Sequence, residues 1–304
     1  IEANSYYRDP FDSFGRFGYV MANPPFNVDE VELDQVKNQP RFNTYGVPQN
    51  KTKKTKSDAK ETVPNANYLW INLFATSLNE KGRAALVMAN SASDAGNSEK
   101  DIRIKLIESG VISQMVTLPS NMFTSVTLPA TLWFFDNART HKDELLFIDA
   151  RNIFTQIDRA HRKFSDEQIK NLAIITRLYE GKSDEFWALV EEYKSEMAQS
   201  KNPEYWQANI NWLLQRFPEG KYTDVTGLCK VAKIEGEDGI KDQDYSLNPG
   251  RYVGVVIEDD GLTEEEFKAV MRGLNAELTK LNAEANDLER RIAENLRSLV
   301  DGNE

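Results

Sequence analysis

The chain of 304 residues holds one cysteine, Cys229, which excludes an internal disulfide framework and a cysteine-rich metal site. That usage fits a reducing compartment. Its two histidines, His141 and His161, are too few for a typical zinc or iron centre, so no metal is expected. No apolar run approaches the roughly 20 residues needed to span a bilayer, and no signal-peptide pattern opens the chain. A cytoplasmic location without a membrane partner is therefore expected. Positive charge is also scarce: 37 Lys and Arg stand against 48 Asp and Glu, for a formal net charge of −11. Bulk charge gives nucleic-acid binding no support, so any such contact must come from a local basic patch or a basic partner.

What is present suffices for a sizeable core. Hydrophobic residues make up 40% of the chain, enough for two domains. Tyr19–Ala22 predicts a buried strand, stopped by two prolines. Residues 38–66 read as a long polar loop with Pro40, Pro48 and Pro64, and "KTKKTKSDAK" within it carries five lysines. "ANYLWINLFATSLNE" has apolar residues at helical spacing, with Gly82 as its stop signal. "RAALVMAN" predicts a second buried strand. "NSEKDIRIKLIESG" predicts a helix capped by Ser98 and ended by Gly110. "VISQMVTLP", "LPATLWFFDN" and "ELLFIDA" predict three more strands.

Alternation of strand and helix implies an α/β fold with a mostly parallel sheet. The late strands lack a helix between them and should form a hairpin, placing one antiparallel strand at the sheet edge. Beyond residue 152 the chain turns helical and charged, with Trp187, Trp206 and Trp212 as expected packing anchors. "YSLNPGRYV" (245–253) reads as an extended joint. Phe267, Met271, Leu274, Leu278, Leu281, Ala285, Leu288 and Ile292 then alternate in steps of four and three, which is a heptad seam. The expected division is 1–151 for the α/β domain, 152–244 for a helical region and 245–304 for the joint and a coiled-coil-type helix. His141 and His161 should lie on the surface, and Cys229 should be a small buried residue. Asp94 and Asp101 fall near a strand end without an assigned role.

The stretch carrying chemistry is "RFGYVMANPPFNVDE" (16–30). Ligands of open α/β sheets bind beyond the carboxyl ends of the strands, and Asn23-Pro24-Pro25-Phe26 stands at such an end. The prolines fix φ and remove two donors. Acceptors remain: the Asn23 side-chain oxygen and the Pro24 carbonyl, with the flat ring of Phe26 beside them. Two acceptors and a stacking ring suit a planar group that bears an exocyclic NH₂. Such an amine is a poor nucleophile, because its lone pair is delocalised. Two acceptors favour a pyramidal nitrogen that can attack an electrophilic methyl. Catalysis of this kind needs positioning and electrostatics rather than histidine or metal. The alternative is a rigid strand-ending turn without a ligand.

After a hydrophobic strand, Asn23-Pro24-Pro25-Phe26 resembles a motif of amino-group DNA methyltransferases. "FGYVMANPPFN", "RFNTYG", "ANYLWINLFATSLNEKGRAALVMAN", "EKDIRIKLIESGVISQMVTLPSNMF", "LPATLWFF", "LLFIDARNIF" and "DYSLNPGRYV" together resemble the modification subunit of type I restriction-modification systems, in the same order. The resemblance implies the carboxyl-terminal part of a Rossmann-like methyltransferase sheet and S-adenosylmethionine as donor of a methyl to adenine N6. Asn23, Pro24, Pro25 and Phe26 are then the catalytic residues, with Asn23 holding the amine and Phe26 stacking on a flipped adenine.

The resemblance also implies double-stranded DNA as substrate. Lys51, Lys53, Lys54 and Lys56 become candidate phosphate contacts, against the alternative of a solvated loop. A separate specificity subunit is expected on the terminal helix, through Leu274, Leu278, Leu281, Leu288 and Ile292. A second modification subunit and a restriction subunit are further expected partners. Two features depart from the family pattern. Only 22 residues precede Asn23, without a Gly-x-Gly, so most of the methyl-donor site is expected to be missing and the isolated chain to be inactive. "NSASDAG" and "TSVTLP" are less glycine-rich than the family forms. Two rivals stay open: a methyltransferase for the glutamine amide of release factors, which usually has Tyr in place of Phe26, and a non-enzymatic assembly element.

Overall fold

The computed structural model describes residues 4–49, 61–123, 127–256 and 263–301. It divides into two compact units, Ile1–Val255 and Val256–Glu304. The first holds a six-stranded sheet. Its strands are β1 (Phe17–Ala22), β2 (Leu78–Ala89), β3 (Ile112–Thr117), β4 (Ala130–Asp136), β5 (Glu144–Asp149) and β8 (Cys229–Lys233), in the order β1-β2-β4-β3-β5-β8. A short hairpin, β6 (Thr155–Gln156) with β7 (Arg162–Lys163), stands apart from it.

Strands β1, β2, β3 and β5 share one direction, so the sheet is mostly parallel as expected. The hairpin of β3 with β4 also forms. Its antiparallel member is not at the edge: β4 inserts between β2 and β3, pairing with both. The antiparallel edge strand is β8, which pairs with β5. Residues 152–244 thus supply a sheet strand as well as helices.

Alternation of side chains explains the layers. Leu145 and Phe147 of β5, with Trp133 and Phe135 of β4, join one core. On that face lie α3 (Asn67–Ser77) and α4 (Asn97–Glu108), through Tyr68, Ile71, Leu106 and Ile107. Leu146 and Ile148 point the other way, into a core with α5 (Asp166–Tyr179), α6 (Ser183–Gln199) and α7 (Pro203–Arg216). Trp206 and Trp212 are only half-buried there and Trp187 is exposed. Phe186, Tyr193, Leu213 and Phe217 fill the interior instead. Cys229 is fully buried, and burial pushes its thiol up to about 11.

Several local expectations change. The expected loop at 38–66 is not structureless at its start: α2 (Pro40–Asn43) follows α1 (Leu33–Val36), and Val36 and Phe42 share a core cluster with Leu69 of α3. Pro40 starts α2, where its missing N–H costs nothing. Gly82 does not stop a helix; it lies inside β2, where the register with β1 slips. A Cβ there would fall 2.7 Å from the Phe17 carbonyl oxygen, so the strands close only over glycine. Ser98 is not the cap of α4, because Gly96 holds that position. The Ser98 hydroxyl instead donates to the Gln49 carbonyl and accepts from the Gln49 N–H, each at 2.9 Å. Strand β1 is less buried than expected, since it borders the sheet and leaves Tyr19 and Met21 more than four-fifths exposed.

The joint at 245–253 packs on the sheet: the Tyr252 ring stacks on Phe147 at 3.9 Å, and Arg103 Nε donates to the Tyr245 carbonyl at 2.7 Å. In the second unit, α8 (Glu264–Asp301) is a single helix of 38 residues, about 57 Å long at the usual rise.

Candidate active site at the carboxyl edge of the sheet

Because β1, β2, β3 and β5 run the same way, their carboxyl ends share one edge. Asn23 to Phe26 follow β1 there. Asn23 is exposed, and among the described residues its carboxamide has no hydrogen-bond partner. Pro24 is buried, Pro25 exposed and Phe26 half-buried, its ring packed against the core under α3. The motif thus leaves Asn23 and Pro25 exposed and rests on the core through Phe26.

A cluster of asparagines holds this loop. Asn27 adopts φ 56°, a left-handed conformation that asparagine tolerates better than most residues. Its N–H donates to Asn67 Oδ1 at 2.9 Å, and its own Oδ1 accepts from Asn67 Nδ2 at 2.9 Å and Asn65 Nδ2 at 3.1 Å. Asn65 Oδ1 accepts from the Asn67 N–H at 2.8 Å, and the Ala66 N–H donates to the Val28 carbonyl at 2.8 Å. Asn67 is buried at the first turn of α3. The loop is therefore pinned to the start of a buried helix two residues after the prolines. Sequence reasoning missed these asparagines; the signal was Asn65-Ala66-Asn67 just before an apolar helix.

Next along the edge, a 3-10 turn at Asn90–Asp94 follows β2. Asn90 Oδ1 accepts from Thr131 Oγ1 at 2.7 Å, and the Ala92 carbonyl accepts from the Tyr68 hydroxyl at 2.7 Å. Asp94 acquires a structural role: it accepts from Ser246 and, at 3.4 Å, from Asn248, and lies 3.7 Å from Arg251. In the first turn of α4, burial pushes the Glu99 carboxyl up to about 7, against the pull of Arg103. Beyond β5, Arg151 grips Asp149 through Nε at 2.9 Å and Nη2 at 2.6 Å.

The remaining expected residues fall elsewhere. Lys51, Lys53, Lys54 and Lys56 lie outside the described residues. Leu274, Leu278, Leu281, Leu288 and Ile292 are all about half exposed along α8, and Leu296 and Leu299 extend their stripe. His141 is exposed, and His161 Nδ1 sits 2.8 Å from Asp158. A cavity of about 480 Å³ lies between the sheet and α5, lined by Leu118, Leu132, Phe134, Phe164 and Leu172 among others. It does not include Asn23 or Phe26.

A family model described as N-6 DNA methylase matches residues 1–260. The chain belongs to this family. The methylase subunit of the type I restriction enzyme MjaIX from Methanocaldococcus jannaschii is 34% identical over 302 residues, covering 97% of this chain and 44% of that protein. The HindI methylase subunit from Haemophilus influenzae is 32% identical over 286 residues, covering 93% and 52%. The chain thus spans about half the length of the curated relatives it matches. A type I restriction-modification methyltransferase subunit from Streptococcus thermophilus superposes with a TM-score of 0.56 at 21% identity, covering 84% of this chain and 42% of that one. That likeness shows a shared fold. The matched family acts on DNA by its description.

Proposed function

We propose that this chain carries the adenine-holding part of a type I restriction-modification methylase subunit, which methylates N6 of adenine in double-stranded DNA. The observation that carries this reading is Asn23: an exposed carboxamide beyond a strand end, without a hydrogen-bond partner among the described residues, on a loop pinned by Asn27, Asn65 and Asn67 in a chain of the N-6 DNA methylase family. A preorganised acceptor is effective because no reorganisation is needed when charge develops on its ligand.

Family membership implies S-adenosylmethionine, which supplies an electrophilic methyl when bound. The described residues before Asn23 include Gly15 and Gly18 but no Gly-x-Gly turn, so residues 4–22 do not fit a cradle for it. What this chain contributes is the other reactant's geometry. The Asn23 oxygen and the Pro24 carbonyl each take one N–H of the adenine amine, which aims the nitrogen lone pair out of the ring plane. Phe26 offers its accessible part to the flipped base, replacing stacking lost from the duplex. Pro25 keeps the turn from relaxing.

The assembly reading rests on α8, whose heptad stripe is exposed along its length. A specificity subunit pairs with this stripe and brings sequence recognition, and a second modification subunit and a restriction subunit complete the complex. A basic partner also offsets the net charge of −11 in approaching DNA. The test incubates the full-length subunit and its specificity partner with tritiated S-adenosylmethionine and duplex DNA, followed by digestion to nucleosides. Label in N6-methyldeoxyadenosine is expected; label in a protein glutamine, or none in DNA, rejects the reading.

A further inference from the structure

The hairpin of β6 and β7 is a second feature of the same edge. It follows β5, and the Arg162 N–H donates to the Asn121 carbonyl at 2.9 Å in the segment after β3. Both β3 and β5 end where β1 ends, so the hairpin and Asn23 share the carboxyl edge. In an acidic chain, Thr155 to Lys163 carries three cations, Arg159, Arg162 and Lys163, against one carboxylate, Asp158.

That carboxylate is committed to the turn. Asp158 Oδ1 accepts from the Ala160 and His161 N–H groups at 2.8 and 2.9 Å, and its Oδ2 lies 2.8 Å from the His161 ring. Arg162 is held by neutral groups: its guanidinium lies 4.0 Å over the Phe154 ring, Nη1 donates to Ser120 Oγ at 3.0 Å and Nε donates to Gln156 Oε1 at 3.1 Å. Two of its five donors are thereby used. Among the described residues, neither Arg159, Arg162 nor Lys163 has a carboxylate partner, and Arg159 and Lys163 are exposed. A guanidinium fixed by neutral contacts beside two exposed cations is built for an anion with several oxygens.

Resting on the adenine reading above, we propose that the Thr155–Lys163 hairpin binds backbone phosphates of the DNA duplex that flanks the flipped base. Spacing supports the assignment. From β1 the edge crosses three strand steps to β3 and four to β5, about 14 and 19 Å. Along B-DNA that is about four to six base pairs. The contact positions the duplex and carries no sequence information, which leaves sequence to the partner subunit.

The test uses the full-length subunit in its complex. Arg159→Ala with Lys163→Ala removes two exposed side chains, and folding is not at risk. The logarithm of DNA affinity is measured against the logarithm of salt concentration for the wild type, this double variant and Arg162→Lys. The double variant is expected to lower the magnitude of the slope by about 2, since each lost phosphate contact removes roughly one unit. Its apparent KM for DNA should rise as binding weakens. Arg162→Lys keeps the charge and should leave the slope near wild type. Footprinting should lose phosphate protection about four to six base pairs from the target adenine. An unchanged slope, or loss of subunit association in place of DNA affinity, overturns the proposal. A wild-type complex that binds DNA but methylates no adenine rejects the function reading alone, because the slopes still decide the hairpin.

Discussion

Asn67 is the side chain on which the candidate site's geometry turns. It is buried, and it exchanges two hydrogen bonds with Asn27 immediately after the Asn-Pro-Pro-Phe motif. Asn67→Ala strips the Asn27 backbone N–H of its partner and leaves a loop in a left-handed conformation without its brace. The expected cost is about 1–3 kcal/mol of stability, measured by denaturant unfolding. Turnover of the full-length complex should fall by roughly 10- to 100-fold with DNA affinity near wild type, because a displaced acceptor misaligns the amine without removing a DNA contact. Turnover equal to wild type contradicts the positioning role. Glu99 gives a pH-dependent counterpart. Burial raises its carboxyl to about 7, above the ordinary value of 4.5, so the folded state binds its proton more tightly than the unfolded state. Its contribution is complete below about pH 4.5 and fades as pH rises through about 7. Glu99→Gln should therefore flatten the fall of stability across that window and gain about 1 kcal/mol at pH 8. An unaltered pH profile of the melting midpoint counts against it.

Helix α8 is the element with the least of its own to pack against: each of its leucines and its isoleucine at the heptad positions is about half exposed or more. Leu278→Glu with Leu281→Glu should dissociate the specificity subunit on size exclusion, since each buried leucine is worth about 1.5–3 kcal/mol at an interface. Folding of residues 1–255 should be unaffected, and an intact complex at micromolar concentration would reject the pairing. This helix was legible in the sequence because a heptad pattern is local. The strands were legible for the same reason: β4 and β5 alternate residues between two cores, and each run reads as a strand alone. Their order was not. Local periodicity records which faces are buried and not which strand lies beside which, so β4 was expected at the edge and lies inside. Strand β8 was missed because "CKVAK" is short and carries two lysines. Gly82 was misread because its need is set by the approach of Phe17 from another strand.

Taken as one molecule, the chain combines a sheet edge that presents an exposed acceptor with a helix that presents an exposed apolar stripe. The Asn-Pro-Pro-Phe motif was visible from its prolines and its place after an apolar strand. The asparagine brace was not, because Asn27 and Asn67 lie forty positions apart and meet only in the fold. The basic hairpin was hidden by a net charge of −11, which averages away a local patch. The account stands or falls on the acceptor role of Asn23. The decisive measurement is methyl transfer to duplex DNA by the full-length complex carrying Asn23→Ala, with DNA affinity and subunit assembly measured in parallel. The expected result is a rate lower by roughly 100-fold or more with binding and assembly unchanged. Transfer at the wild-type rate would contradict it.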